Sequence, residues 1–120
     1  MSNLMLASTS RELKERLNFI LKELNFSLEK HTENPKDTLI EFKTINPRVL
    51  ILDLFLKDSN GFELVKKLKE MNETAPIIVI SPIRSPSLIE KLFRYGAKDV
   101  LIPPFSNETL ATTILHRIEE

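Results

Sequence analysis

Residues 49–61 read Val-Leu-Ile-Leu-Asp-Leu-Phe-Leu-Lys-Asp-Ser-Asn-Gly, and this stretch decides the fold. Val49–Leu52 is an unbroken aliphatic run, which is typical of a strand buried on both faces in a parallel sheet. The run ends in Asp53, a carboxylate at a place where burial disfavours charge. We predict a strand over Val49–Asp53, a loop over Leu54–Asn60 and a helix that begins at Gly61.

The same alternation of short apolar runs and helical periods extends in both directions from this stretch. Helix-start signals follow each run: a Thr9-to-Glu12 capping box, then Asn34-Pro35, Gly61, Ser85-Pro86 and Ser106. Five strand–helix units predict an α/β fold with a doubly wound parallel sheet and helices on both faces. The predicted strands are Leu4–Ala7, Phe26–Lys30, Val49–Asp53, Ile77–Ser81 and Asp99–Ile102.

Helical spacing also predicts which side chains face the core. The first helix should bury a stripe from Leu13 to Leu24, and the last should bury Leu110, Ile114 and Ile118. In the helix that begins at Asn34-Pro35 we predict that Leu39, Ile40 and Phe42 face inward. In the helix that begins at Ser85-Pro86 the predicted inward residues are Leu88, Ile89, Leu92 and Phe93.

Composition narrows the class of protein. The 120 residues suit one domain, 1–120, and we expect no output domain within them. Lys plus Arg equals Asp plus Glu, 17 each, so charge gives no reason to expect nucleic acid or an anionic membrane as a partner. The absence of cysteine excludes disulfides and thiolate catalysis but does not indicate the compartment. With no signal peptide and no long apolar run, we expect a cytoplasmic protein.

Candidate site residues follow from the topology. Open α/β sheets bind ligands at the carboxyl ends of their strands. This rule selects Asp53 as the chemical centre, together with Ser8, Thr9, Ser81 and Pro103. In the alternative, Asp53 simply caps the loop or the next helix.

Three segments together carry a resemblance to a known family. Residues 49–64, Val79-Ile80-Ser81 and Pro104-Phe105 resemble the landmarks of a response-regulator receiver domain, and the chain is similar to single-domain chemotaxis regulators. The resemblance implies a flavodoxin-like fold with strand order 2-1-3-4-5 and a role in two-component signalling. It further implies phosphorylation at Asp53 by a histidine kinase, Mg²⁺ held beside it by an acidic pair after strand one, and a cis peptide bond before Pro104.

The sequence departs from this family at most supporting positions. Ser8 and Thr9 replace the acidic pair, Pro103 replaces a lysine, and Val100 replaces an aromatic switch residue. Pro82 lacks the backbone N–H that would contact a phosphoryl group. Besides Asp53, only the Ser81 hydroxyl and the Phe55 N–H remain. We therefore predict a degenerate receiver that is not an enzyme, needs no cofactor and is not phosphorylated through Mg²⁺.

The predicted mode of action is binding to a protein partner, either another signalling protein or a second copy. The predicted face is formed by helix four, strand five and helix five, with Glu90, Arg94, Tyr95, Lys98, Thr113 and Arg117. Taken singly, each of these residues could equally be a solvated helix position.

Two other functions remain open. One is a working phosphoreceiver that uses Mg²⁺ and Asp53, with a histidine kinase as partner. The other is a flavodoxin-like small-molecule binder, indicated weakly by the hydroxyl-rich segment 7–10. Asp58 is expected to be a solvated loop charge, and His31 and His116 are not at metal-ligand spacing.

Overall fold

The computed structural model describes residues 3–57 and 59–119. Their elements alternate strictly, and the five strands form one parallel sheet in the order β2-β1-β3-β4-β5. The predicted topology is therefore confirmed. The elements are β1 Leu4–Ala7, α1 Arg11–Glu23, β2 Leu28–Thr32, α2 Pro35–Ile45, β3 Val49–Asp53, α3 Gly61–Met71, β4 Ile77–Ile80, α4 Pro86–Tyr95, β5 Asp99–Leu101 and α5 Asn107–Ile118.

Both faces of the sheet are buried, which explains the unbroken aliphatic runs. Alternate residues of β1, β3 and β4 point to opposite sides. One face packs against α1 and α5, with Leu17 and Ile114 in its core. The other packs against α2, α3 and α4, with Phe42 and Leu68 in its core. Among the described residues, no helix has the length and apolar character needed to cross a membrane.

Most predicted helix starts are correct. Asn34 and Ser106 cap α2 and α5 by accepting hydrogen bonds from the Asp37 and Thr109 N–H groups. Ser85 occupies the N-cap of α4, but its hydroxyl makes no capping bond to that helix. The α3 helix begins at Gly61, where a Cβ would lie 2.0 Å from the Leu54 carbonyl oxygen. Only glycine allows this close approach of the loop to the helix.

The start of α1 corrects one prediction. Ser10, not Thr9, is the N-cap residue, and its hydroxyl accepts a hydrogen bond from the Leu13 N–H at 3.1 Å. The predicted capping box is wrong, because the helix begins two residues after Thr9 and not one. Glu12 lies in the first turn of the helix and is exposed.

Strand boundaries differ modestly from the predicted ones. The predicted strand Phe26–Lys30 is shifted to Leu28–Thr32, since its pairing with β1 continues until Thr32 meets Ala7. The last two strands each end one residue earlier than predicted, at Ile80 and Leu101. Such end differences are ordinary for short strands.

Two predicted core residues are exposed instead. Ile40 exposes 53% of its surface, because α2 turns Thr38 and Phe42 inward and position 40 lies on the opposite side of the helix. Phe93 exposes 47%, because α4 buries only a narrow face around Leu92.

Candidate functional site

Register places three predicted site residues at one edge of the sheet. Ala7 is paired with Leu52, and Asp53 is paired with Ile80. Ser8, Asp53 and Ser81 therefore lie side by side at the carboxyl ends of three adjacent strands, β1, β3 and β4. Ser8 is fully buried and Asp53 is half-buried.

The Ser8 hydroxyl binds the Asp53 carboxylate directly. Ser8 Oγ donates to Asp53 Oδ2 at 2.5 Å and accepts a hydrogen bond from the Ser10 N–H at 2.9 Å. Its one proton is thus committed to Asp53, and one lone pair to the start of α1. Since the first contact joins a hydroxyl to an ionisable carboxyl, it belongs to the stronger class of hydrogen bonds.

Two residues of β2 form hydrogen bonds with the backbone of Ser8. The Ser8 N–H donates to the Thr32 carbonyl oxygen at 2.9 Å, and His31 Nε2 lies 2.7 Å from the Ser8 carbonyl oxygen. Because a carbonyl oxygen only accepts, His31 Nε2 is the proton donor. Ser8 is therefore held by both its backbone and its side chain.

Burial raises the pKa of Asp53 above its ordinary value, while the Ser8 hydrogen bond lowers it in part. No cation contributes to this shift among the residues that the structure describes. The carboxylate is thus stabilised by one neutral donor and by no opposite charge.

Thr9 does not join Asp53. Its side chain is exposed and lines a separate cavity between α1 and β2, together with Lys14, His31 and Glu33. The neighbouring Ser8 turns toward the sheet, so Thr9 turns away from it. Of the two residues at the acidic-pair positions, only Ser8 contacts the carboxylate.

Ser81 is fully buried, and its hydroxyl accepts a hydrogen bond from the Ile83 N–H at 3.0 Å. This bond spans Pro82, which is exposed. The Ser81 hydroxyl therefore shapes the turn after β4, a common role for serine at such positions.

A cavity of about 310 Å³ opens above Asp53. Its walls come from the first two turns of α1 and from the segment after β5. Its lining residues are Ser10, Glu12, Leu13, Arg16, Asp53, Ile80, Pro103, Pro104 and Phe105. The Pro103–Pro104 peptide bond is cis, in agreement with the expectation from the resemblance.

Arg16 is a feature of this cavity that sequence reasoning missed. Its Nε donates to Asn107 Oδ1 at 2.7 Å, and its Nη2 donates to the Phe105 carbonyl oxygen at 2.8 Å. The guanidinium also lies 4.9 Å from the centre of the Phe105 ring. These contacts join α1 to the segment before α5, across 89 residues of sequence, and no local pattern indicates them.

Three other predicted site residues, Phe55, Val100 and Pro103, are apolar. Phe55, two residues after Asp53, exposes 54% of its surface. Pro103 is exposed, and Val100 is half-buried against the core that holds α3 and α4. An aliphatic side chain at position 100 leaves no ring to rotate between two positions.

The predicted interaction face is largely paired within the chain. Arg117 binds Asp99 through two hydrogen bonds of 2.6 and 2.9 Å. Arg94 and Glu90 form a weaker, exposed pair at 3.7 Å. Thr113 donates to the Thr109 carbonyl within its own helix.

Tyr95 does not offer the exposed ring expected of a docking residue. It is half-buried toward α3, with the ammonium groups of Lys66 and Lys91 each 5.4 Å from its ring centre. Lys98 is exposed, and Phe93 supplies the exposed aromatic surface of α4.

The donor set around Asp53 does not fit a Mg²⁺ site. Magnesium prefers carboxylates in octahedral geometry, but Ser8 is neutral and Thr9 lies elsewhere. Within 3–57 and 59–119, no three His, Cys, Asp or Glu side chains are grouped closely enough to hold a metal ion. Asp58 lies outside the described residues.

The fold is thus a doubly wound parallel sheet with one carboxylate, Asp53, at the end of its central strand. The family model for the response regulator receiver domain matches residues 4–115, so the chain belongs to that family of two-component signalling domains. It is 32% identical over 107 residues to the sensory transduction protein LytT of Oceanobacillus iheyensis, covering 88% of this chain and 44% of that protein.

Two further relatives cover the whole chain. The chemotaxis protein CheY of Listeria monocytogenes is 20% identical over 120 residues, which are 100% of this chain and 98% of that protein. A two-component response regulator from Clostridium difficile superposes with a TM-score of 0.90 at 20% identity, covering 100% of this chain and 98% of that one. This structural likeness shows the fold. The chain spans less than half the length of several curated relatives, LytT of Oceanobacillus iheyensis among them.

Proposed function

We propose that this receiver domain acts by binding a partner protein and that it works without Mg²⁺-dependent phosphorylation of Asp53. The observation that carries the proposal is the 2.5 Å hydrogen bond from Ser8 Oγ to Asp53 Oδ2. A neutral hydroxyl occupies the carboxylate oxygen from the side where the family places acidic metal ligands. The module would be a non-enzymatic, cofactor-free cytoplasmic protein.

Energetics support this proposal. Phosphoryl transfer depends on positioning and on neutralising the charge of the transferring group. Loss of one electrostatic clamp costs about 3–4 kcal/mol, or two to three powers of ten in rate, by analogy with oxyanion-hole deletions. Ser8 and Thr9 remove the metal clamp, and Pro103 removes the lysine clamp. A phosphoryl group on Asp53 would also bring more negative charge to a half-buried group that no cation compensates.

The relatives favour a signalling partner. The names of the LytT and CheY relatives point to sensory transduction and chemotaxis. We accordingly propose a signalling protein or a second copy of this domain as the partner. A histidine kinase would then be a partner for binding and not a phosphate donor. Phe93 on α4 and Lys98, which lies between α4 and β5, are exposed and available to such a contact.

Intact-mass measurement after incubation with acetyl phosphate and Mg²⁺ tests the proposal. We expect the wild-type mass to stay unchanged. A variant with Ser8→Asp, Thr9→Asp and Pro103→Lys restores the missing charges and serves as the matched positive control. Gain of one phosphoryl group by the wild type, abolished in Asp53→Asn and retained in Asp37→Asn, would show a working phosphoreceiver and contradict the proposal.

A further inference from the structure

The cavity above Asp53 combines an uncompensated carboxylate with apolar walls. Asp53 Oδ2 accepts the Ser8 proton, but no hydrogen bond reaches Oδ1 from any residue in the described ranges. This oxygen is not buried, so it is open to a ligand, and an ionised oxygen favours an added donor, a charged donor most of all. This oxygen therefore has free capacity for a cation.

Among the residues with described positions, Arg16 is the one cation that lines the cavity, and it is directed elsewhere. Arg16 donates one hydrogen bond to the Phe105 carbonyl oxygen and one to Asn107 Oδ1, and its guanidinium group lies over the Phe105 ring. Arginine does not figure among the causes that shift the Asp53 pKa. Arg84 contacts only the outer side of the same segment, through the Pro103 carbonyl oxygen at 3.4 Å.

The charge and the lining of this cavity indicate which chemical group would bind in it. Glu12 adds a second carboxylate at the rim, while Ile80, Pro103, Pro104 and Phe105 line the walls with carbon. A lysine side chain has a matching division into an aliphatic stem and a compact ammonium head. Among the described residues, a divalent metal ion would find no third His, Cys, Asp or Glu ligand beside these two carboxylates, and an anion would meet both of them.

We propose that the cavity receives a lysine side chain from the partner protein, whose ammonium group pairs with Asp53. The inference rests on the proposed function and names the chemistry of its partner. The partner segment presents the lysine among apolar residues, which meet the exposed surface of Phe55 and of the two prolines. The cation that Pro103 removes from this chain would thus be supplied in trans.

A peptide titration of the ¹⁵N-labelled full chain, followed by amide chemical shifts, tests the inference. The probes are acetyl-Ala-Ala-Xaa-Ala-Ala-amide peptides in which Xaa is lysine, norleucine, arginine or glutamate. Norleucine keeps an alkyl chain but lacks the charge. We expect the lysine peptide to cause saturable shifts at Ser8, Asp53 and Phe105. It should bind about tenfold more tightly than the norleucine peptide, a difference of ~1.4 kcal/mol.

Variants separate charge from shape. Asp53→Asn should remove the lysine preference, and Glu12→Gln should weaken binding about threefold, as expected for an exposed charge. Asp37→Asn removes an exposed carboxylate on α2 and should leave binding unchanged.

Equal binding of lysine and norleucine, a preference for arginine, or lysine binding that survives in Asp53→Asn would overturn the inference. Its failure is distinguishable from failure of the proposed function, because only the latter depends on whether acetyl phosphate modifies Asp53.

Discussion

Replacing Ser8 with alanine tests the hydrogen bond on which the proposed function rests. The substitution removes the bond to Asp53 Oδ2 and leaves the Ser10 N–H without its acceptor. A hydrogen bond to a charged group contributes about 1.5–3 kcal/mol. Ser10 is half-buried, so water can replace part of the second bond. We expect a total loss of about 2–3 kcal/mol in the free energy of unfolding, or roughly 10 °C in Tm for a chain of this size.

The loss should depend on pH in a defined direction. Burial raises the pKa of Asp53 in the folded state above its ordinary value of 3.8, which applies to the unfolded chain. Stability from this group is therefore fully present below pH 3.8 and is lost as pH rises through the folded pKa. Ser8→Ala removes the hydrogen bond that lowers the folded pKa of Asp53. Its destabilisation should thus be largest at neutral pH and should shrink as Asp53 becomes protonated.

Urea denaturation followed by far-UV circular dichroism, repeated from pH 3.5 to pH 7.5, measures both effects. Ser106→Ala is the matched control, because it removes the N-cap of α5 far from Asp53 in the chain and should cost about 1 kcal/mol at every pH. The reasoning is refuted if Ser8→Ala costs less than this control at neutral pH, or if its cost is the same across the pH range.

Two further substitutions test the same site. Asp53→Asn should stabilise the fold at neutral pH, because the amide oxygen still accepts the Ser8 proton and no charge is desolvated. The gain in stability should disappear in acid. Urea denaturation at both pH values measures this, and a loss of stability at neutral pH would contradict the prediction. Arg16→Ala should cost about 1 kcal/mol through its two hydrogen bonds and its ring contact, and Arg16→Lys should not restore it, since lysine lacks the planar set of donors; full stability of the lysine variant in the same assay would contradict this account.

Most of the fold could be predicted from local pattern. Unbroken aliphatic runs identified the buried strands, and the strand Val49–Asp53 was predicted with its observed bounds. Cap residues such as Asn34 and Ser106 marked their helices because their side chains bond N–H groups only three residues away. Contacts between residues so close in sequence can be predicted from the local sequence alone.

Local sequence did not predict the position of a helix cap or the burial of a side chain where these depend on contacts between residues distant in sequence. Thr9 and Ser10 are both suitable caps, but the binding of Ser8 to Asp53 and Thr32 places Ser10 at the helix start. Tyr95 is half-buried because it packs against the core that holds α3, with Lys66 5.4 Å from its ring centre. Neither choice is visible from neighbours in sequence.

The sequence by itself determined the class of fold and the strand ends at which side chains could meet. It also showed which charges are missing at positions 8, 9 and 103, because the identity of a residue needs no structure. Only the tertiary structure decided that Ser8 binds Asp53, 45 residues away, and that Arg16 binds the Phe105 carbonyl and not Asp53. Hydrogen bonds require distances and directions, and these exist only after packing has brought remote segments together.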